Sequence, residues 1–219
     1  QRVLAKDEPR VRFPSPAPRI MHKKIATHFK KNDPILFAYI DKIKLIHVSP
    51  SVDLFTDLCD TIISQQLSGK AAESIFKRFL ALFPKQKITP EYLLKIPEQK
   101  IRDCGTSWAK VRSLKDLAQK VMDKTIHLNK LDKLSDDEVV IELIKVRGIG
   151  PWTAEMFLMF ALGREDIFSH GDLGLRNALI KMYKLKKEPT KTQIEKITLK
   201  WRPYRSHASR ILWKSLELS

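Results

Sequence analysis

From about residue 19 to the C-terminus, apolar side chains recur almost without interruption at helical spacing. Phe55, Leu58, Cys59, Ile62 and Ile63 follow i, i+3, i+4, i+7, i+8. Ala72, Ile75, Phe76, Phe79, Leu80 and Phe83 repeat the pattern, as do Val111, Leu114, Leu117, Ala118, Val121 and Met122. Ser135-Asp-Asp-Glu138 forms a capping box, which predicts a helix burying Val139, Val140, Leu143 and Ile144. Residues 151–162 are apolar nearly all round, the mark of a helix buried on most sides. Leu175, Ala178, Leu179 and Met182 give a further stripe, and Ala208, Ile211, Leu212 and Ser215 line the last. Strand-like alternation is essentially missing, and the seven glycines fall mostly at predicted helix ends. The chain therefore reads as all-α.

The expected arrangement is two helical subdomains around a cleft. One spans about 50–130; the other joins about 19–45 to the C-terminal helices. Residues 1–18 carry four prolines and no periodicity, so they read as an extended or disordered arm. Gln1 stands where an initiator Met would, and a processed N-terminus is expected.

Charge narrows the partner. With 41 Lys+Arg against 25 Asp+Glu, the formal net charge is +16, and a polyanion such as nucleic acid is the first partner to consider. A merely soluble basic protein is the alternative. Two cysteines exclude a disulfide scaffold and cannot complete a four-cysteine zinc or iron–sulfur site. No apolar run approaches the roughly 18–20 residues of a membrane span. The expectation is an intracellular protein with no membrane association.

The most informative stretch is Val146-Arg147-Gly148-Ile149-Gly150-Pro151. It follows a capped amphipathic helix and precedes a buried one. Two glycines around one apolar residue permit a tight turn and close approach to a ligand. Pro151 suits the first helical position, and the amides there, at the positive end of the helix dipole, suit a phosphate. Ile149 would plug the hairpin into the core. An ordinary interhelical turn would look the same in isolation. Together, helix, G-x-G hairpin and buried helix suggest a device that grips a DNA backbone without reading bases.

Beyond the hairpin come Gly148-Ile-Gly-Pro-Trp-Thr-Ala154 and, after the buried helix, Phe168-Ser-His-Gly-Asp-Leu-Gly-Leu-Arg176. This order resembles the helix-hairpin-helix DNA glycosylase superfamily. Ile63-Ser-Gln-Gln-Leu-Ser-Gly-Lys-Ala-Ala72, Trp201-Arg-Pro-Tyr-Arg-Ser206 and Trp213 resemble its alkylbase branch, DNA-3-methyladenine glycosylase II. The likeness spans roughly residues 45–216.

The resemblance implies that Asp172 is the catalytic carboxylate, stabilising an oxocarbenium-like sugar as the base leaves. Asp172 also stands where an aspartate would simply cap a helix over 173–183. Strand-cutting relatives carry a Lys at the position of Trp152, and an indole cannot form a Schiff base. A monofunctional hydrolase that leaves an abasic site is thus implied. Alkylated purines are cationic, and aromatic faces select them. Trp152, Met156 and Trp213 match the positions that line the substrate pocket, although Met156 replaces an aromatic found in some relatives. Trp152 could equally be core packing, whereas Trp213 lies off its helix's apolar stripe. His170 could touch substrate or stand solvated.

Excision requires the nucleotide to rotate out of the duplex. By family position Gln66, with Leu67 and Ser68, resembles the wedge inserted in its place; a polar turn with Gln65 or Gln66 bonding its own backbone is the alternative. Arg147, Gly148, Ile149, Gly150 and Thr153 are implied phosphate contacts. Lys70, Lys110, Lys145, Arg202 and Arg205 are plausible phosphate neighbours, and Trp108 could face DNA or pack. The family further implies a monovalent ion, Na+ or K+, at the carbonyls of 146–150, and no other cofactor. The expected partner is duplex DNA containing alkylated bases, bound by a monomer. A non-catalytic DNA-binding module, or a glycosylase for hypoxanthine or ethenoadenine, is the alternative function.

Overall fold

The computed structural model describes residues 19–43 and 48–218, and the arm expected over 1–18 lies outside them. Every regular element among the described residues is helical. In chain order they are α1 (Arg19–Asn32), α2 (Pro34–Phe37), α3 (Leu54–Ser64), α4 (Gly69–Leu80), α5 (Pro90–Lys95) and α6 (Glu98–Asp103). There follow α7 (Trp108–Met122), α8 (Asp136–Leu143), α9 (Pro151–Phe160), α10 (Leu173–Met182), α11 (Lys191–Leu199) and α12 (Arg205–Ser215). Short 3-10 turns link several of them.

Local chemistry explains the boundaries. Asp53, Thr89, Ser107, Ser135, Asp172 and Thr190 each accept a bond from an amide in the first turn of the helix that follows. At Ser135 the full capping box forms, with Glu138 bonding back to the Ser135 amide. Pro90 and Pro151 occupy first positions, where a missing N–H costs nothing.

The chain divides into two compact units, and the first, Pro50–Leu162, extends well past residue 130. The hairpin and α9 belong to it. Leu58, Ile62, Ile63, Phe79, Leu93, Ile101, Leu114 and Leu117 are fully buried, one stripe from each contributing helix. Two stripe residues expected inside are not. Met122 and Ile144 are both exposed: Met122 is the last residue of α7 and Ile144 is the C-cap of α8.

The second unit comprises the described part of residues 19–49 and residues 163–218. Its core gathers Phe29, Leu36, Leu175, Leu179, Trp201, Ile211 and Leu212. One buried carboxylate organises it. Asp33 caps α2 through the Leu36 amide (3.2 Å) and accepts from Trp201 Nε1 (2.6 Å) and the Tyr183 hydroxyl. Lys200 Nζ lies 3.1 Å from it. Burial by itself would raise the Asp33 pKa, but the bonds from Trp201, Tyr183, Leu36 and Lys200 together hold it below the ordinary carboxylate value. The conspicuous Trp201 is thus fixed at both its apolar face and its N–H.

Candidate functional site

In the first unit, the hairpin forms where the sequence places it. Ile149 is buried as the plug, while Arg147 and Gly148 are exposed. Gly148 has φ +79°, the left-handed region that glycine enters freely. A Cβ there would stand 2.5 Å from Ser113 Oγ on α7, so any other residue would force Ser113 to move. The Ile149 amide turns inward to the Val146 carbonyl (3.1 Å) and is spent within the turn. At the start of α9, the N-cap Gly150 leaves the first turn without a side-chain cap. Thr153 is buried, and its hydroxyl takes a bond from Gln65 Nε2 at 3.2 Å.

The loop after α3 is exposed over Gln66–Ser68, with Leu67 at 37%. Gln66 adopts φ +57°, a conformation that non-glycine residues reach at a cost. Gln65 does not bond its own backbone. Its side-chain amide donates to the Gly148 carbonyl (3.0 Å), tying this loop to the hairpin. Sequence reasoning missed that role, because a polar residue 83 positions from its partner leaves no periodic trace. Trp152 is 47% exposed despite its apolar helix, which excludes core packing as its task, and Met156 one turn on is buried.

In the second unit, Asp172 caps α10 and is only 8% exposed. Its Oδ1 accepts from the Leu175 amide at 2.7 Å and from Trp213 Nε1 at 3.0 Å. Two donors on one oxygen fix the carboxylate's rotation and the indole's position together. Gly174 makes room for the pair: a Cβ there would lie 3.1 Å from Asp172 Oδ1 and 3.1 Å from Trp213 Cδ1. The off-stripe placement of Trp213 thus has a cause.

Residues 59–203 match the family model described as HhH-GPD superfamily base excision DNA repair protein. The chain belongs to the HhH-GPD superfamily. DNA-3-methyladenine glycosylase 1 of Schizosaccharomyces pombe is 35% identical over 171 residues, 75% of this chain and 73% of that protein. The putative DNA-3-methyladenine glycosylase YfjP of Bacillus subtilis is 36% identical over 162 residues. That match takes in 71% of this chain but 56% of YfjP, so the chain spans little more than half of that relative. Among solved structures, the S. pombe 3-methyladenine DNA glycosylase Mag1 in complex with abasic DNA superposes with TM-score 0.77 at 31% identity. It covers 90% of this chain and 98% of Mag1.

Within this HhH-GPD chain the basic residues divide sharply. Arg205 is not free for phosphate: its guanidinium is held by the Asp166 carboxylate at 2.7 and 3.1 Å. Arg202 lies 3.7 Å from the same carboxylate with its side chain more than half exposed, and Lys145 pairs with Glu142. Lys110 donates to the carbonyls of Ile63 (2.8 Å) and Gln65 (2.7 Å) instead of facing solvent, and burial pulls its pKa down. Lys70 and Arg147 remain exposed. His170 is half-buried with its ring edge-on to Phe168, and burial lowers its pKa, so it is not a solvated loop residue. Trp108, at the first position of α7, is 43% exposed. No helix among the described residues is long and apolar enough to cross a membrane.

Proposed function

We propose that this chain is a monofunctional DNA glycosylase that releases alkylated purines, of the 3-methyladenine and 7-methylguanine type, from duplex DNA. The observation that carries the reading is the Asp172 carboxylate, oriented by the Leu175 amide and Trp213 Nε1 in a chain of this family. With the damaged nucleotide rotated out of the stack, the bond from C1′ to the purine nitrogen breaks and its electron pair leaves with the base. The Asp172 carboxylate stabilises the positive charge that grows on the sugar, where electrostatic preorganisation counts most. Water then adds at C1′, loses a proton, and leaves an abasic site. A purine made cationic by alkylation starts nearer to that departure, and the face of Trp213, bonded to the carboxylate, offers it cation–π attraction. Trp152 supplies no amine, so no Schiff base forms and the strand is not cut.

The hairpin and the first turn of α9 would hold the DNA backbone, and Gln66, Leu67 and Ser68 would fill the space left by the extruded base. A Na+ or K+ fits the hairpin's oxygen donors: the Val146 and Gly148 carbonyls each accept one hydrogen bond and keep a second lone pair. When bound it would add positive charge beside a phosphate. The chain would act as a monomer wherever the cell keeps its DNA, nucleoid or nucleus.

The test is a panel of duplexes bearing methylated purines, hypoxanthine, ethenoadenine or uracil, scored for free base released. Methylated purines should be excised fastest. Asp172→Asn keeps an oxygen for Leu175 and Trp213, so it should fold and bind abasic DNA while excision falls at least about a hundredfold. Unchanged excision by this variant, or no base released from any duplex, would refute the assignment.

A further inference from the structure

Lys110, Ser113, Asp116 and Lys120 stand on successive turns of α7, at spacings of three, three and four, and so share one side of the helix. All four are wholly or partly buried. Each is aimed at one of two loops of the first unit. Lys110 Nζ closes the C-terminal end of α3 through the Ile63 and Gln65 carbonyls, where a cation complements the helix dipole. Ser113 lies against Gly148 at the distance a Cβ would violate. The Asp116 carboxylate accepts the Arg147 backbone amide at 2.7 Å. Lys120 Nζ bonds both Asp116 oxygens (2.9 and 2.7 Å) and the Lys145 carbonyl (2.6 Å). Gln65 completes the circuit from the first loop to the second.

We propose that this row of α7 is a brace that holds the Gln66 loop and the Arg147–Gly150 hairpin in register, making Lys110 and Asp116 positioning residues for DNA binding. The proposal rests on the reading of both loops as DNA contacts. Its logic is that of a clamp: two loops that must engage one duplex at once gain nothing from being individually well formed if their spacing drifts. A tether from a single rigid helix fixes that spacing before DNA arrives, and the ordering cost is met during folding.

Charge gives the test a sign. Asp116→Ala removes a negative charge from a protein that binds a polyanion, so electrostatics alone predicts tighter binding. The brace predicts the reverse, a loss of roughly tenfold, the equivalent of one charge-assisted hydrogen bond. Affinity of the full chain for duplexes containing an abasic-site analogue is measured over a range of salt concentrations, below the melting midpoint of every variant. Lys110→Met should also weaken binding while leaving the slope of log affinity against log salt unchanged, since its ammonium is taken by carbonyls. Were Lys110 a phosphate contact, that slope would shrink by about one unit, and the brace would be wrong there. Equal or tighter binding by Asp116→Ala overturns the brace while leaving the glycosylase reading intact. Failure of the parent chain to bind any duplex overturns that reading and the brace with it.

Discussion

Replacing Gly148 with alanine probes the tightest point of the hairpin, and its cost can be assembled from two parts. Alanine at φ +79° carries a Cβ penalty of about 1–2 kcal/mol. The new Cβ would also stand 2.5 Å from Ser113 Oγ, a separation that atoms do not tolerate. Ser113 is held in its present rotamer by a bond to the Ala109 carbonyl at 3.0 Å. Turning the hydroxyl away forfeits that bond, about 1 kcal/mol. The sum is about 2–3 kcal/mol, and a chain of this size loses about 2–4 °C of melting temperature per kcal/mol. The two parts separate in a double-variant cycle. Ser113→Ala removes Oγ and leaves only the Ser113 Cβ at 3.4 Å, an ordinary contact. The pair Gly148→Ala with Ser113→Ala should therefore be less destabilised than the sum of the single changes, by about 1 kcal/mol. Melting curves of the four proteins give the coupling directly, and strict additivity would refute the close approach. Binding supplies the functional half of the assay. A hairpin that grips backbone alone should weaken on every duplex alike, damaged or not. A loss confined to one lesion would contradict that role.

Two further outcomes follow from the second unit. Trp213→Phe keeps an aromatic face but deletes the N–H on Asp172 Oδ1. Single-turnover excision should fall roughly tenfold, about the value of one hydrogen bond to a charged group, with affinity for abasic DNA little changed. An unchanged rate would show that the bond does not orient the carboxylate. At Asp33 the folded-state pKa is depressed, so its contribution to stability is complete above the unfolded value near 3.9 and is lost as pH falls through the folded one. Asp33→Asn should cost about 2–3 kcal/mol near neutrality, chiefly by removing the charged oxygen that accepts from Trp201 Nε1 and the Tyr183 hydroxyl, since the Lys200 ammonium stays partly solvated. The gap from the parent should close in urea titrations taken below pH 4; a gap independent of pH would exclude the carboxylate charge as its source.

What could be read in the sequence was whatever repeats or clusters locally. The stripes of α3, α4, α7, α10 and α12 each follow one helical period, and each carries a buried core side chain. The hairpin was legible because Gly148, Gly150 and Pro151 have few other uses in that order, and Asp172 because a cap is a local contact to Leu175. By contrast α5 and α6 are six residues each, too short to display a period. They stand because the chain folds back on α7, where Lys115 Nζ donates to the carbonyls of Leu93, Leu94 and Ile96. The polar contacts that shape the site were hidden for the same reason. Asp33 meets Trp201 across 168 positions and Asp172 meets Trp213 across 41, and nothing at either end of such a pair marks the other. Lys110 shows the consequence most clearly. By composition it is one more cation on a basic surface, available to phosphate; in the structure its charge is consumed by two backbone carbonyls. A net charge of +16 therefore overstates the positive charge left for a polyanion, since Lys110 and Lys120 are turned to backbone carbonyls. Affinity in such a protein depends on these cations and on those that meet phosphate, but only the latter should appear in its salt dependence.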